Sequence, residues 1–199
     1  MNVKHKIAYI SEQQYLEDEK VREIKHEYIN GEIYARNDFS RNHVQLTGNV
    51  ARQFGNFLAD DFRFEVFLSK MKLRVKGNFF YPDVLVVDGN DKTHDYYVEK
   101  PLIIVEVLSK STRRFDQTGK FEFYKTIPSL EEYVLIEQDF AEIEVCRRAN
   151  NWYPQRYFLG DEITFESIDL TVSVEAIYKR VQNEDVLEFL AAKEKEKEE

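Results

Sequence analysis

A carboxylate buried without a partner is costly to fold around, and this chain sets two of them into apolar runs. Glu106 interrupts Leu102-Ile103-Ile104-Val105 and Val107-Leu108, and Asp83 opens Val84-Leu85-Val86-Val87. Either one alone reads as half of a structural ion pair, or as an exposed strand end. Two at the ends of neighbouring buried strands would repel each other unless a cation lay between them, and oxygen donors select a hard divalent ion. A third element follows, because Asp116, Lys120 and Tyr124 are spaced i, i+4 and i+8 and so share one helix face. A lysine held beside two carboxylates can orient a metal-bound water or offset charge developing on a phosphorane. The plain alternative is an Asp116–Lys120 pair on the surface, worth about 0.3–0.5 kcal/mol.

Those groups need elements to hold them. Ser11 has the type and place of an N-cap, giving a short helix over Glu12 to Glu19. Asn30-Gly31 between Lys25–Ile29 and Glu32–Ala35 signals a β-hairpin. Ser40 can cap a helix reaching about Ala59, with Val44, Val50, Phe54, Phe57 and Leu58 as the face that docks on a sheet. Met71, Leu73 and Val75 alternate with Lys70, Lys72, Arg74 and Lys76, and Gly77-Asn78 turns the chain into Phe79 to Val87 as a second hairpin. Leu102 to Leu108 has the composition of a strand buried on both faces. Arg114 to Thr126 reads as a helix that stops before Pro128, and Tyr133 to Ile136 as another buried strand, which makes a strand-helix-strand unit. Ile143 to Arg147 and Arg156 to Leu159 read as strands, Val174 to Val181 as a helix, and Lys193 to Glu199 as a frayed charge run. The expected organisation is a single domain over residues 1 to 185 and a charged tail over 186 to 199.

The chain has 199 residues, 43% of them hydrophobic, enough for one sizeable core. One cysteine, Cys146, forms no internal disulfide and reads as a buried strand residue. With no long apolar run and no signal-peptide pattern at the N-terminus, the expectation is a soluble, cytoplasmic protein with no membrane partner. The net charge of −9 argues against a general polyanion binder, but residues 137 to 199 carry 16 acidic and 8 basic side chains, which supplies nearly all of it. Between Arg63 and Lys125 the balance reverses, with 12 basic and 9 acidic side chains. Lys70, Lys72, Arg74 and Lys76 at period two suit a phosphate backbone, and suit almost equally well a hairpin face kept soluble by charge.

Pro82-Asp83, then Glu106-Val107-Leu108-Ser109-Lys110-Ser111-Thr112, then Asp116, Lys120 and Tyr124, then Glu132-Tyr133-Val134-Leu135-Ile136 resembles the Uma-type endonucleases of the PD-(D/E)XK restriction-endonuclease-like superfamily. Glu27, Gly31, Ser40 and His43 are similar to that family's N-terminal pattern, and the likeness spans residues 11 to 140. Each motif is weak by itself; their order is specific. The resemblance implies an α/β (α+β) fold, a mixed β-sheet flanked by helices with additional hairpins. It also implies a metal-dependent endonuclease acting on DNA, with Asp83 and Glu106 as ligands of Mg²⁺ (or Mn²⁺) and a backbone carbonyl near Val107 as a further ligand. The sequence departs from the superfamily pattern at Leu108, where a lysine usually stands. In the Uma-type family that lysine has moved to the next helix, which points to Lys120 ahead of Lys110 and Lys100. His43, Glu27 and Asp116 are secondary candidates, since a lone helical histidine or a hairpin glutamate is more often a surface group. An inactive nucleic-acid or protein interaction module on the same fold, and a hydrolase of small phosphoesters, are the competing functions. A homodimer is compatible with the sequence, which carries no visible specificity motif.

Overall fold

Local signals build most of the frame. Ser11 accepts the Gln14 N–H at 3.1 Å and starts helix α1, Glu12–Val21. Strands β1, His26–Ile29, and β2, Glu32–Ala35, form the expected hairpin, with Asn30 at φ 51° and Gly31 at φ 88° supplying its left-handed turn. The computed structural model describes residues 9–36, 39–92 and 94–198. The first eight residues, which the sequence reading counted with the domain, lie outside the described residues, as does Glu199 at the end of the tail.

Ser40 caps α2, Arg41–Phe57, through the His43 N–H at 3.1 Å. The docking face of α2 differs from the expected one. Val50, Phe54 and Leu58 are buried with Leu46, whereas Val44 and Phe57 are 58% and 49% exposed. Burying such side chains contributes about 1.5–3 kcal/mol each, so the helix is held by its Leu46-Val50-Phe54 row.

The strands that follow are β3 Phe64–Leu68, β4 Lys72–Val75, β5 Asn78–Phe80, β6 Val84–Asp88, β7 Tyr97–Val98 and β8 Pro101–Leu108. Here the second hairpin is corrected. It closes at Phe80 through left-handed Lys76 and Gly77, and the run to Val87 is two strands in different sheets, broken at Tyr81-Pro82-Asp83. Proline has no N–H for a ladder, which makes that break natural. One sheet orders β2-β1-β5-β4-β7. The other joins β3, β6 and β8 to β9 Glu132–Glu137, β10 Ile143–Arg147 and β11 Pro154–Tyr157, in the order β11-β10-β9-β8-β6-β3. Strand β8 is interior, antiparallel to β6 and parallel to β9.

The crossover from β8 to β9 is helical in three pieces: α3 Arg113–Phe115, a π-helical turn Asp116–Lys120 and α4 Phe121–Tyr124. Strand residues alternate between two cores. Val84, Val86, Ile103 and Val105 pack towards α2, while Leu85, Val87, Ile104 and Leu108 pack with Tyr124 and Tyr133. By this parity Asp83 and Glu106 belong to one face, the side covered by the crossover helix.

Four strands were not anticipated: β3, β7, and the separate hairpin of β12 Glu162–Phe165 and β13 Leu170–Ser173. The helix expected over Val174 to Val181 shortens to α5, Val174–Ile177. The expected charged tail is α6, Glu184–Glu198, with Val186 buried and Lys193 paired to Glu175 at 3.1 Å. No described helix is long and apolar enough to cross a membrane.

Candidate active site

Glu106 lies on β8 with its side chain 3% exposed. Its Oε1 accepts from Lys120 Nζ at 3.1 Å and from the Tyr124 hydroxyl at 3.0 Å. Both donors come from the crossover helix, where the wide π turn aims Asp116 and Lys120 at the same space. Lys120 Nζ also stands 3.0 Å from Asp116 Oδ1 and 3.0 Å from Glu27 Oε1. Glu27 arrives from β1 and accepts the Tyr81 N–H at 3.2 Å, which ties the first hairpin to the break between β5 and β6.

Asp83 sits just ahead of β6 and forms a second knot. Its Oδ2 accepts the Val107 N–H at 2.8 Å and lies 3.1 Å from His43 Nε2, and its Oδ1 accepts from Arg36 at 3.0 Å. His43 stacks on Phe39 with ring centroids 4.3 Å apart, and the Arg36 guanidinium lies 4.8 Å from the same ring. Both knots line one pocket of about 500 Å³, a size that takes a small ligand.

The electrostatics differ sharply between the two strands' carboxylates. Burial opposes ionisation of Asp83, yet His43, Arg36 and the Val107 N–H together hold it below the usual range. Burial pushes Glu106 up to about 8; Lys120 pulls it down, and Asp116, Asp83 and Glu27 push it further up. Burial also raises Asp116. Lys120 is disfavoured by burial but held well above its ordinary value by Glu106, Glu27 and Asp116, so it stays charged.

All six candidates singled out by sequence, Asp83, Glu106, Lys120, Glu27, His43 and Asp116, therefore meet in one pocket. The Asp116–Lys120 pair is buried, not the surface pair of the plain alternative. Lys110 and Lys100 are exposed and do not line the pocket. Arg36 was missed: an arginine just past a half-exposed strand carries no local sign of its contact with Asp83, 47 residues on. The basic row is corrected too. Lys72 is buried, with its amine over the Tyr81 and Tyr96 rings, and Arg74 is tied to Glu12 and Glu99 at 2.7 Å each. Only Lys70 and Lys76 stand exposed, because both faces of β4 are covered. Cys146 is buried as expected, and desolvation pushes its thiol up to about 12, which rules out a thiolate nucleophile near neutral pH.

The pocket's donors fit a hard dication. Four carboxyl groups, Glu27, Asp83, Glu106 and Asp116, face two permanent cations, Lys120 and Arg36, an excess of two acidic groups that is reflected in the raised Glu106 and Asp116. Asp116 Oδ1 is buried and, beyond the ion pair with Lys120, has no hydrogen-bond partner among the described residues. Among the described residues no three His, Cys, Asp or Glu side chains converge as a ready-made metal cage. The carboxylates are instead drawn onto Lys120, Arg36 and His43.

Residues 12–175 match the model of the Uma2 family, described as "putative restriction endonuclease". Two proteins of Synechocystis sp. (strain ATCC 27184 / PCC 6803 / Kazusa) are similar over most of their length, both named only as uncharacterized. Slr1290 is 33% identical over 85% of this chain and 92% of its own. Sll1609 is 36% identical over 80% of this chain and 90% of its own. The fold matches the crystal structure of a "putative nuclease belonging to DUF820" from Anabaena variabilis ATCC 29413, with a TM-score of 0.71 and 16% identity over 87% of this chain and 99% of that one. The mixed sheet with flanking helices expected from the resemblance is thus the observed fold, and the chain belongs to the Uma2 family.

Proposed function

We propose that this chain is a Mg²⁺- or Mn²⁺-dependent endonuclease that hydrolyses phosphodiester bonds of DNA, with Asp83, Glu106 and Lys120 at its centre. The observation that carries the reading is the charge imbalance: four carboxylates in one pocket against Lys120 and Arg36. Asp83 and Glu106 would hold the ion, with Glu27 and Asp116 beside them. Bound there, the ion would supply a Lewis acid and lower the pKa of a water.

The chain's own groups do the rest. Lys120, charged and facing the pocket, offsets the negative charge that builds on the phosphate oxygens as the water oxygen attacks phosphorus. One P–O ester bond breaks, and its oxygen takes a proton and leaves as an alcohol. Arg36 offers a second cation to the phosphate while its Asp83 contact fixes its position. His43 acts through Asp83 and is a positioning residue. Lys70 and Lys76 can still meet a nucleic-acid backbone, whereas Lys72 and Arg74 are engaged elsewhere. Removing Lys72 and Arg74 together should therefore leave the salt dependence of DNA affinity nearly unchanged; a slope lower by about two would restore the four-residue row.

The test is cleavage of single-stranded, duplex and branched DNA with Mg²⁺, Mn²⁺ or chelator. Cleavage is expected only with metal, and Asp83→Ala should reduce it to background. Binding without cleavage under any of these conditions would favour the inactive interaction module, and turnover of small phosphoesters alone would favour the third reading.

A further inference from the structure

Resting on the hydrolytic reading above, we propose that the strand entering this pocket is unpaired at the site of cleavage, with its bases stacked on the aromatic rings at the pocket mouth. Three large rings line the pocket and remain open to solvent: Tyr34 at 46%, Phe39 at 43% and Phe115 at 37%. They come from β2, the entry to α2 and α3, so three separate elements place an aromatic at one opening.

Two of the rings are held in place. Phe39 stacks on His43 with ring centroids 4.3 Å apart and has the Arg36 guanidinium 4.8 Å from its centre, and these are the groups that hold Asp83. A base stacked on Phe39 would thus bring its phosphate to the Arg36 guanidinium. Phe115 lies directly over Gly119, where a Cβ would collide with the ring. The bare glycine lets the ring close onto the turn that carries Asp116 and Lys120.

The charge around the opening points the same way. A protein that tracks a duplex neutralises about 6–10 phosphates. Among the described residues, Arg41, Lys110 and Arg114 are exposed cations next in sequence to pocket-lining residues, and exposed Lys70 follows Ser69, which bonds to Arg36 and Asp83. Four exposed cations fall short of a duplex footprint of that size, and a π-face accepts any base once it leaves its stack. The hydroxyls of Ser109, Ser111 and Thr112 on the rim can serve the sugar-phosphate backbone.

The experiment is fluorescence anisotropy with labelled DNA as single strand, blunt duplex and duplex with a single-stranded flap, in Ca²⁺, with Mg²⁺ cleavage assays in parallel. The single strand and the flap should bind at least about tenfold tighter than the blunt duplex. Phe39→Ala and Phe115→Ala should each weaken single-strand binding roughly 5- to 100-fold, the loss expected for one stacked base, and leave duplex affinity unchanged. Phe39→Tyr should restore binding, which a merely structural role for a ring of that size would not distinguish from Phe39→Leu; the leucine variant should stay weak. Equal affinity for single strand and duplex, or unchanged binding in both alanine variants, overturns the inference. If duplex is cleaved as well as single strand, and Asp83→Ala abolishes both, the hydrolytic reading stands and this inference falls. If single strands bind through the rings but nothing is cleaved with Mg²⁺ or Mn²⁺, the stacking surface stands and the hydrolytic reading falls.

Discussion

Lys120→Ala should destabilise the protein in chelator by about 3–5 kcal/mol, the cost of breaking a buried charge network by removing one side of it. Lys120 is the common partner of Glu27, Glu106 and Asp116, all within 3.1 Å of its amine. Without it, three carboxylates share a poorly hydrated space with Arg36 as the remaining permanent cation in the pocket. Added Mg²⁺ should recover part of the loss, because an ion that binds only the native state stabilises it by mass action. Cleavage should not recover, since the amine is also the group that meets charge on the phosphate. Lys110→Ala, at an exposed position, should stay within about 0.5 kcal/mol of the parent. Urea melts of both variants, with and without metal, decide the matter. A loss below about 1 kcal/mol for Lys120→Ala in chelator, within the range of an exposed ion pair, would mean the carboxylates do not depend on that amine.

Glu106→Gln is expected to run the other way, inactive but more stable than the parent in chelator by about 1–4 kcal/mol at pH 8. The amide keeps an oxygen that can accept from Lys120 and Tyr124 while removing one of four negative charges. The pH dependence carries the sign. Burial raises the folded carboxyl of Glu106 from 4.5 to about 8, so its contribution to stability is fully present below the unfolded value and is lost as pH rises through 8. In chelator the parent should weaken between pH 5 and pH 8, and Glu106→Gln should flatten that decline. Asp116, raised in the same direction, leaves a residual slope. Glu106→Leu should be less stable than Glu106→Gln, because it strands the Tyr124 hydroxyl, at a cost of about 1–3 kcal/mol. Mg²⁺ should stabilise the parent and not the glutamine variant. A glutamine variant that unfolds more readily than the parent in chelator would show that the carboxylate is there for Lys120 and Tyr124 alone.

What the sequence disclosed was whatever local chemistry governs. Glu106 in its apolar run, Asn30-Gly31, and the caps Ser11 and Ser40 each carry their own signal, and each sits as expected. The Asp116–Lys120–Tyr124 spacing also led to the right helix face, although the turn is wider than an α-helix. What it hid depends on distant partners. Arg36 looks solvated until Asp83 is placed beside it. Lys72 looks exposed by alternation, but Tyr81 and Tyr96 close over it, so both faces of β4 are covered. Val44 and Phe57 fit an apolar stripe, but Leu46, Val50 and Phe54 form the row that meets the sheet. Strand β3 carries a mixed Phe-Glu-Val-Phe-Leu run that pairs only because β6 lies beside it.

The π-helical turn between Asp116 and Lys120 makes the pocket a matter of helix pitch. A π turn holds about one residue more than an α turn and sits as a single bulge inside an α-helix. The loss of one residue among Gln117, Thr118 and Gly119 would close it to an α turn and leave the later side chains nearly where they were, whereas a gain of one residue would swing them by about 100°, the α-helical step. With such a gain Lys120 and Tyr124 would leave Glu106 together, and Tyr124 would leave the core it shares with Tyr133. The pocket would survive the deletion, and the insertion would cost both the pocket and part of that core. Among relatives of equal core sequence, a chain one residue shorter in this segment should therefore still assemble the four-carboxylate site, and a chain one residue longer should not.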